Sequence, residues 1–491
     1  MDIPSHINKI IKDLQAADYE AYIVGGCVRD LLMKKEPKDW DITTNARPEE
    51  ILKVFKDAKY ENVFGTVLLP FRAEPKNGEA KGVLEDVVEI TTYRSEQGYS
   101  DRRHPDSISF ETELDKDLER RDFTINALAL NPTAAEGADG QGEVIDFFGG
   151  RKDIKAKIIR AVGEPSDRFK EDALRMMRAA RFSAQLGFEL EPKTQRAIVK
   201  LAGSLKFVSQ ERLRDELIKI LASERPAAGI MLLHDCKLLQ YILPELEQGI
   251  GVNQDRHHIY PVFKHNILAL EHCPSGEWPV RLAALLHDVA KPKTRKIIKG
   301  IATFYNHEYL GAKMTDRIMS RLKFSNDDRL RVVNLVKNHM FYYNVGEVTA
   351  ASVRRLIVKV GRENLKDLIA LRIADRLGSG TPKAMPYKLR HLQYMLEKVQ
   401  NDPVSVKMLK INGDGLMKAL AIVPGPKIGA ILDVLLSEVI EEPERNEIKY
   451  LESRAKILAR LDLEELRAKA KGIIAERREA DDKEIKKSYK V

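Results

Sequence analysis

The chain has 491 residues, 43% of them hydrophobic and 32% charged; that length exceeds a single core and predicts about three or four domains. No apolar run approaches the roughly 18 residues of a membrane span, and the three scattered cysteines, Cys27, Cys236 and Cys273, form neither a disulfide framework nor a CxxC metal site. The formal net charge of +8, from 82 Lys+Arg against 74 Asp+Glu, fits a nucleic-acid partner without requiring one. The opening MDIPSHINKIIKDL lacks the basic-then-apolar pattern of a secretory signal, so a reducing cytoplasm and no membrane are expected.

Residues 20–130 read as mixed α/β. AYIVGG is a short apolar strand ending in glycines, VRDLLM opens a helix, and DWDITTNA is a second strand. VFGTVLLPF and LEDVVEITTYR make two more, and the turn-rich RSEQGYSDRRHPD, Arg94 to Asp106, reads as a loop. After VIDFFGG the pattern becomes helical: EDALRMMRAARFSAQLG, KTQRAIVKLAG and SQERLRDELIKILAS all carry the 3.6-residue period. Helices continue to a highly charged last stretch, expected to be an exposed helix.

Asp39 and Asp41 are spaced i, i+2, which on a strand puts both carboxylates on one face. Like charges held together call for a cation, and hard oxygen ligands suit Mg²⁺. Glu89, on a later strand, can add a third carboxylate to that edge, while Gly25 and Gly26 let backbone N–H groups approach phosphates. These parts fit nucleotidyl transfer assisted by two metals. A Gly-Gly turn and an Asp-x-Asp are each common on surfaces; GGCVRD, ending in Arg29-Asp30, followed by DWD is more specific. That combination resembles the class II tRNA nucleotidyltransferase and bacterial poly(A) polymerase family. ERRDFTINALAL, 119–130, is similar to the family's ribose-recognition block. The resemblance implies nucleotide binding by Gly25, Gly26 and Arg29, a phosphate contact by Arg121, and sugar reading by Asp122 and Asn126, where a 2′-OH both donates and accepts.

The helical stretch DRFKEDALRMMRAARF, 167–182, places Asp172 and Arg175 at i, i+3, expected on one side of one helix. Cytosine and adenine each present an amino donor beside a ring-nitrogen acceptor, whereas guanine and uracil present the reverse. An accepting aspartate with a donating arginine therefore suits C and A. The resemblance assigns that pairing to Asp172 and Arg175, the orientation of the arginine to Glu171, and nucleotide contacts to Arg178 and Arg181. FVSQERLRDELIKIL resembles the family's neck motif that steadies the template helix, and its Glu211, Arg212 and Arg214 read as either structural or RNA-facing. The loop GYSDRRHPD has a family counterpart that switches the pocket from CTP to ATP, which implies more than CC addition.

His265, His287-Asp288 and Asp375 follow the order H…HD…D and resemble the HD phosphohydrolase superfamily. Imidazole with carboxylate suits a transition metal such as Ni²⁺ or Mn²⁺ that activates water on a phosphoester. His307 and His339 fit the extra histidines of many HD domains, and Lys291 follows the pair as in relatives. His234-Asp235 lacks this context and reads as a decoy; His104, His257 and His258 are expected to be loop residues without a ligand role.

The expected architecture is an α/β nucleotidyltransferase head with a mixed sheet (1–148), a helical neck carrying the nucleotide template (149–225), a helical body (226–385) with the HD domain at about 255–378, and a helical tail (386–491), all α beyond the head. By resemblance the chain acts on tRNA with CTP and ATP, as a monomer or homodimer. The leading expectation is template-independent addition of CCA, with addition of only A to ends already carrying CC as its closest rival. A poly(A) polymerase, or an HD phosphohydrolase with an RNA-binding head, fits less well.

Overall fold

The computed structural model describes residues 3–62, 65–72, 84–97, 107–133, 142–255, 259–341, 343, 348–381, 385–399 and 401–469. His104, His257, His258, most of the loop expected over 94–106, and the charged stretch from 470 onward lie outside them. Two units emerge, Met1–Glu247 with Arg321–Phe324, and Gln248–Ser320 with Ser325–Val491.

In the first unit, helices α1 (Ser5–Ala16), α2 (Gly26–Leu32), α3 (Pro48–Val54) and α4 (Leu114–Glu119) accompany strands β1 (Ala21–Val24), β2 (Asp41–Thr44), β3 (Lys59–Asn62), β4 (Thr66–Arg72) and β5 (Leu84–Thr92). Strands β6 (Arg94–Gln97) and β7 (Ser107–Phe110) pair with each other, while β8 (Ala129–Asn131) and β9 (Glu143–Ile145) complete a mixed sheet ordered β3-β4-β5-β2-β1-β8-β9. Strand alternation sorts the apolar residues between its faces. Ile23, Ile42, Ile90 and Leu130 pack with Trp40 and with Ile7, Ile11 and Leu14 of α1. Val24 and Ala129 instead join Tyr93 and Leu114 and Leu118 of α4. Each fully buried Ile or Leu contributes about 1.5–3 kcal/mol, so this two-sided core fixes the sheet edge on which Asp41 sits. Strands β2 and β5 run parallel with Asp41 directly opposite Glu89.

The helical part of this unit holds α5 (Gly150–Ala156), α6 (Pro165–Glu171), α7 (Leu174–Leu186), α8 (Pro192–Leu201) and α9 (Gln210–Leu221). It also contains a small parallel ladder, β10 (Ile158–Ile159) with β11 (Glu189–Leu190), that helical periodicity does not announce. The stretch expected to be one helix through Asp172 and Arg175 is two. Asp172 is extended (φ −140°, ψ 106°), and its carboxylate accepts the Leu174 N–H at 3.0 Å. A short acidic side chain that bonds a nearby N–H offers the backbone an alternative to the helix, and here it separates α6 from α7. Met176, Met177 and Ala180 bury one side of α7, which ends at Gly187 in the left-handed region (φ 72°).

In the second unit the helices Val262–Glu271 and Leu365–Gly378 cross very closely. A Cβ on Gly378 would lie 2.7 Å from the Ala269 nitrogen and 3.0 Å from the His265 carbonyl, so this crossing requires glycine. A short antiparallel hairpin, Lys296–Ile298 with Ile301–Thr303, interrupts the helices. Within the stretch expected as a helical tail, Leu416, Ile431, Leu435, Val439, Leu451 and Leu458 form a buried cluster of their own. Among the described residues no helix is long and apolar enough to cross a membrane.

Arg354, buried at 4% exposure, anchors the helix Pro426–Glu441. It donates to the carbonyls of Ile440 (2.6 Å) and Glu441 (3.0 Å) and to the Asp402 carboxylate (2.7 Å). A cation at a helix C-terminus satisfies the orphan carbonyls and complements the dipole. Arg354→Met is expected to cost about 2–4 kcal/mol through those unpaired groups, seen by calorimetry as an earlier transition. Superimposable transitions would refute the anchoring.

Candidate functional site

The chain leaves β1 through Gly25, whose backbone (φ 82°, ψ −133°) is essentially restricted to glycine. A Cβ there would stand 2.8 Å from Arg121 Nη1 and 3.6 Å from Asp41 Oδ2. Gly25 therefore keeps a space between a guanidinium and a carboxylate, and Gly26 begins α2 beside it. Asp39 lies just before β2 and is exposed, Asp41 is its first residue, and Glu89 faces Asp41 across the parallel register. Burial raises the Asp41 carboxyl above its ordinary range, with Arg121 opposing and Asp39 adding to the rise. Burial, then Asp41, Glu61 and Asp39, raise Glu89. The array suits a hard divalent cation, which carboxylate oxygens bind and which removes their mutual repulsion.

A connected polar network stands behind this edge. Arg29, 8% exposed, donates from Nη1 to Asn126 Oδ1 at 2.7 Å and from Nε to Asp30 at 2.9 Å. Asn126 in turn donates to Asp122 Oδ1 at 3.1 Å, and Arg178 Nε donates to Asp122 Oδ2 at 2.7 Å. Burial alone would raise Asp122; Arg178, the Asn126 amide and Arg175 outweigh it and hold the carboxyl below its usual range. Arg29, Arg178 and Arg181 surround the Phe182 ring at 5.3, 5.5 and 4.4 Å. Arg181 is committed to Glu216 at 2.9 Å.

At the break between α6 and α7, Arg175 Nη1 donates to Glu171 Oε2 at 2.7 Å and its Nη2 to the Arg120 carbonyl at 3.0 Å. Asp172 accepts a two-pronged contact from Arg212 of α9, at 3.2 and 2.7 Å. The structure thus brings Glu171, Asp172, Arg175 and Arg178 together beside Asp122, with Asp172 and Arg175 held by different partners.

The second unit gathers the HD residues. His265 Nε2 lies 2.9 Å from His287 Nε2, 3.2 Å from Asp288 and 3.4 Å from Asp375. His307 Nε2 is 3.2 Å from Asp288 and 3.3 Å from His339 Nε2. Among the described residues, His265-His287-Asp288 and Asp288-His307-His339 bring their ligand atoms within 4.8 Å of one another, sharing Asp288; the head carboxylates form a looser array. His287, His307 and His339 each donate Nδ1–H to a carbonyl, of Ala284, Phe304 and Val336, so their Nε2 atoms turn inward. Against burial, Asp288 and Asp375 push His287 up to about 10, whereas burial, His287 and His307 push His339 down to about 3. Lys291 is spoken for by Asp288 and Gln254, both at 2.6 Å. His234 bonds Glu247 at 2.7 Å.

Three family patterns match: the poly A polymerase head domain over residues 21–160, the probable RNA- and SrmB-binding site of polymerase A over 187–250, and the HD domain over 275–379. A CCA-adding enzyme of Lactiplantibacillus plantarum is 34% identical over 458 residues, covering 92% of this chain and 95% of that one. The chain belongs to the tRNA nucleotidyltransferase family. The A-adding tRNA nucleotidyltransferase of Deinococcus radiodurans is 37% identical over 67% of this chain and 76% of its own. The Bacillus stearothermophilus CCA-adding enzyme, solved in complex with CTP, superposes with a TM-score of 0.69 at 27% identity, over 94% of this chain and 98% of that one. This tRNA nucleotidyltransferase carries both a polymerase-type head and an HD domain, each of which implies a divalent metal.

Sequence reading misses one residue that the site depends on and leaves the role of another open. Asp117, fully buried, receives Arg120 Nε at 3.0 Å, Arg121 Nη2 at 3.5 Å and the Thr43 hydroxyl at 3.3 Å. Its only signal is the i, i+3 and i, i+4 spacing to those arginines. Arg212 carries no local signal, being 40 residues from Asp172. Burial raises the Asp117 carboxyl, but Arg120 and Arg121 outweigh it and lower it. A lowered carboxyl contributes stability above its ordinary pKa, and that contribution is lost as pH falls through the folded value. Asp117→Asn should therefore lose about 2–3 kcal/mol near pH 7, with the deficit shrinking below about pH 4. Thermal unfolding across pH tests this; a deficit independent of pH would refute it.

Proposed function

We propose that the protein adds CCA to tRNA 3′ ends without a nucleic-acid template, taking CTP and ATP as donors. The observation that carries this reading is the in-register pairing of Asp41 with Glu89 at a Gly25 gap that faces Arg121. Asp39 and Asp41 would hold Mg²⁺, which when bound activates the tRNA 3′-hydroxyl and offsets the triphosphate charge. Gly25 leaves room for the triphosphate, Arg121 meets its phosphates, and Asp122 with Asn126, tied through Arg29 and Arg178, fixes the sugar. The 3′-oxygen then attacks the α-phosphorus and pyrophosphate leaves. Asp172 accepts the amino group of cytosine or adenine and Arg175 donates to the neighbouring ring nitrogen, so guanine and uracil are refused. Complete CCA addition is favoured over A addition because the CCA-adding relative spans 92% of the chain, the A-adding one 67%.

Extension of a tRNA transcript ending at the discriminator base, and of one ending in CC, tests the programme with CTP and ATP supplied singly and together. The first should gain CCA; growth of only the second, by one A, would replace this reading with A addition.

A second activity is favoured by the two histidine-aspartate triads that share Asp288. With inward Nε2 atoms and carboxylates as donors, the set fits a transition metal that activates water on a phosphoester, held by His265, His287, Asp288 and Asp375, with His307 and His339 extending it. Asp41→Ala should abolish nucleotide addition and spare metal-dependent phosphatase activity. His287→Ala should do the opposite, and loss of both activities in the latter would make the HD region scaffold.

A further inference from the structure

From Asn126 a chain of bonds runs one way to Arg29 and the other way, through Asp122, to Arg178. Both end guanidiniums meet on a single ring. Arg29 Cζ lies 5.3 Å and Arg178 Cζ 5.5 Å from the centroid of Phe182, so the chain closes into a circuit. The circuit joins two elements, with Arg29 on α2 and with Arg178 and Phe182 at i, i+4 on α7. Arg181, fastened to Glu216, is a third cation at 4.4 Å. Three like charges repel, and the negative face of an aromatic ring attracts them without adding a counter-charge. The ring is buried and meets Phe123, the residue after Asp122, edge-on at 5.7 Å. An aliphatic side chain would fill the same space and hold no cation.

We propose that Phe182 is a positioning residue for sugar selection. Its face fixes Arg29 relative to Arg178, and through their bonds the orientation of the Asn126 amide and the Asp122 carboxylate. The inference rests on the sugar-reading role proposed above for Asp122 and Asn126. Asp122 is restrained at both oxygens: Oδ1 accepts the Phe123 N–H at 2.9 Å and the Asn126 amide, and Oδ2 accepts Arg178. Asn126 depends on Arg29, because a turned amide would present its own N–H groups to the guanidinium. Asp30 holds Arg29 at Nε, and the ring supplies the second restraint that brings Nη1 to Asn126. A 2′-hydroxyl both donates and accepts, so it is read only by partners that stay in place. The base is assigned to Asp172 and Arg175 instead, so a loosened circuit blurs ribose against deoxyribose and leaves C against U intact.

Replacement of Phe182 by mono-, di- and trifluorinated phenylalanine tests this, because fluorine withdraws charge from the ring face while keeping its shape. Transcripts of tRNA are extended with CTP, dCTP, ATP, dATP and UTP, and melting temperatures are measured alongside. The preference for CTP over dCTP, and for ATP over dATP, should fall stepwise with each fluorine. In Phe182→Leu it should fall by about tenfold or more. The preference for CTP over UTP and the melting temperatures of the fluorinated proteins should match the parent. A sugar preference indifferent to fluorine, or a base preference that falls in step with it, overturns the inference while leaving nucleotide addition standing. A parent that takes dCTP as readily as CTP overturns the sugar-reading role, and this inference with it. A parent that adds no nucleotide overturns the functional reading itself.

Discussion

Carboxylates repel, and the head is organised around keeping Asp39, Asp41 and Glu89 on one sheet edge regardless. Parallel pairing of β2 with β5 leaves Asp41 and Glu89 no freedom to separate, because slipping the register by one residue would turn Ile42 and Ile90 out of the core. The hydrophobic faces of the sheet thus hold together groups that electrostatics would drive apart. Arg121 is the nearby cation that moderates the repulsion, and it is steered by Asp117 from below. Gly25 keeps the space between Arg121 and Asp41 open.

The neck repeats the same logic with alternating sign. Glu171 takes Arg175, Arg212 takes Asp172, Asp122 takes Arg178 and Glu216 takes Arg181. Arg175, Arg178 and Arg181 of α7 each pair with an acid outside that helix, so their guanidinium groups are oriented by the surrounding elements. Preorganisation of this kind removes ordering cost at the moment of binding.

How much of this was readable in advance follows from the range of each interaction. Asp39, Asp41, Gly25 and Gly26 were legible because strand period and glycine punctuation are local, and Glu89 because the same period applies to β5. The HD set was legible as an ordered series of ligand-type residues, and the structure does bring them together. The break at Asp172 was not, since helical periodicity continues through it and only a side-chain bond to Leu174 N–H reveals the interruption. Asp117 reads as one more charge on a short helix, and Arg212 as one more charge in the neck. Their meaning lies in partners fixed by packing, as does that of the tail, whose amphipathic pattern announces helices without saying that Leu416, Val434 and Leu451 meet in a core.

Gly378 touches no ligand atom, yet it sets how near the helix bearing His265 can come to the helix bearing Asp375. The dimensions of the histidine-aspartate cluster are therefore governed by a residue outside it. A single methyl group at that position would pry two helices apart while leaving every ligand in the sequence. In this fold the spacing of the cluster can change while every histidine and aspartate of the HD series stays in place in the sequence.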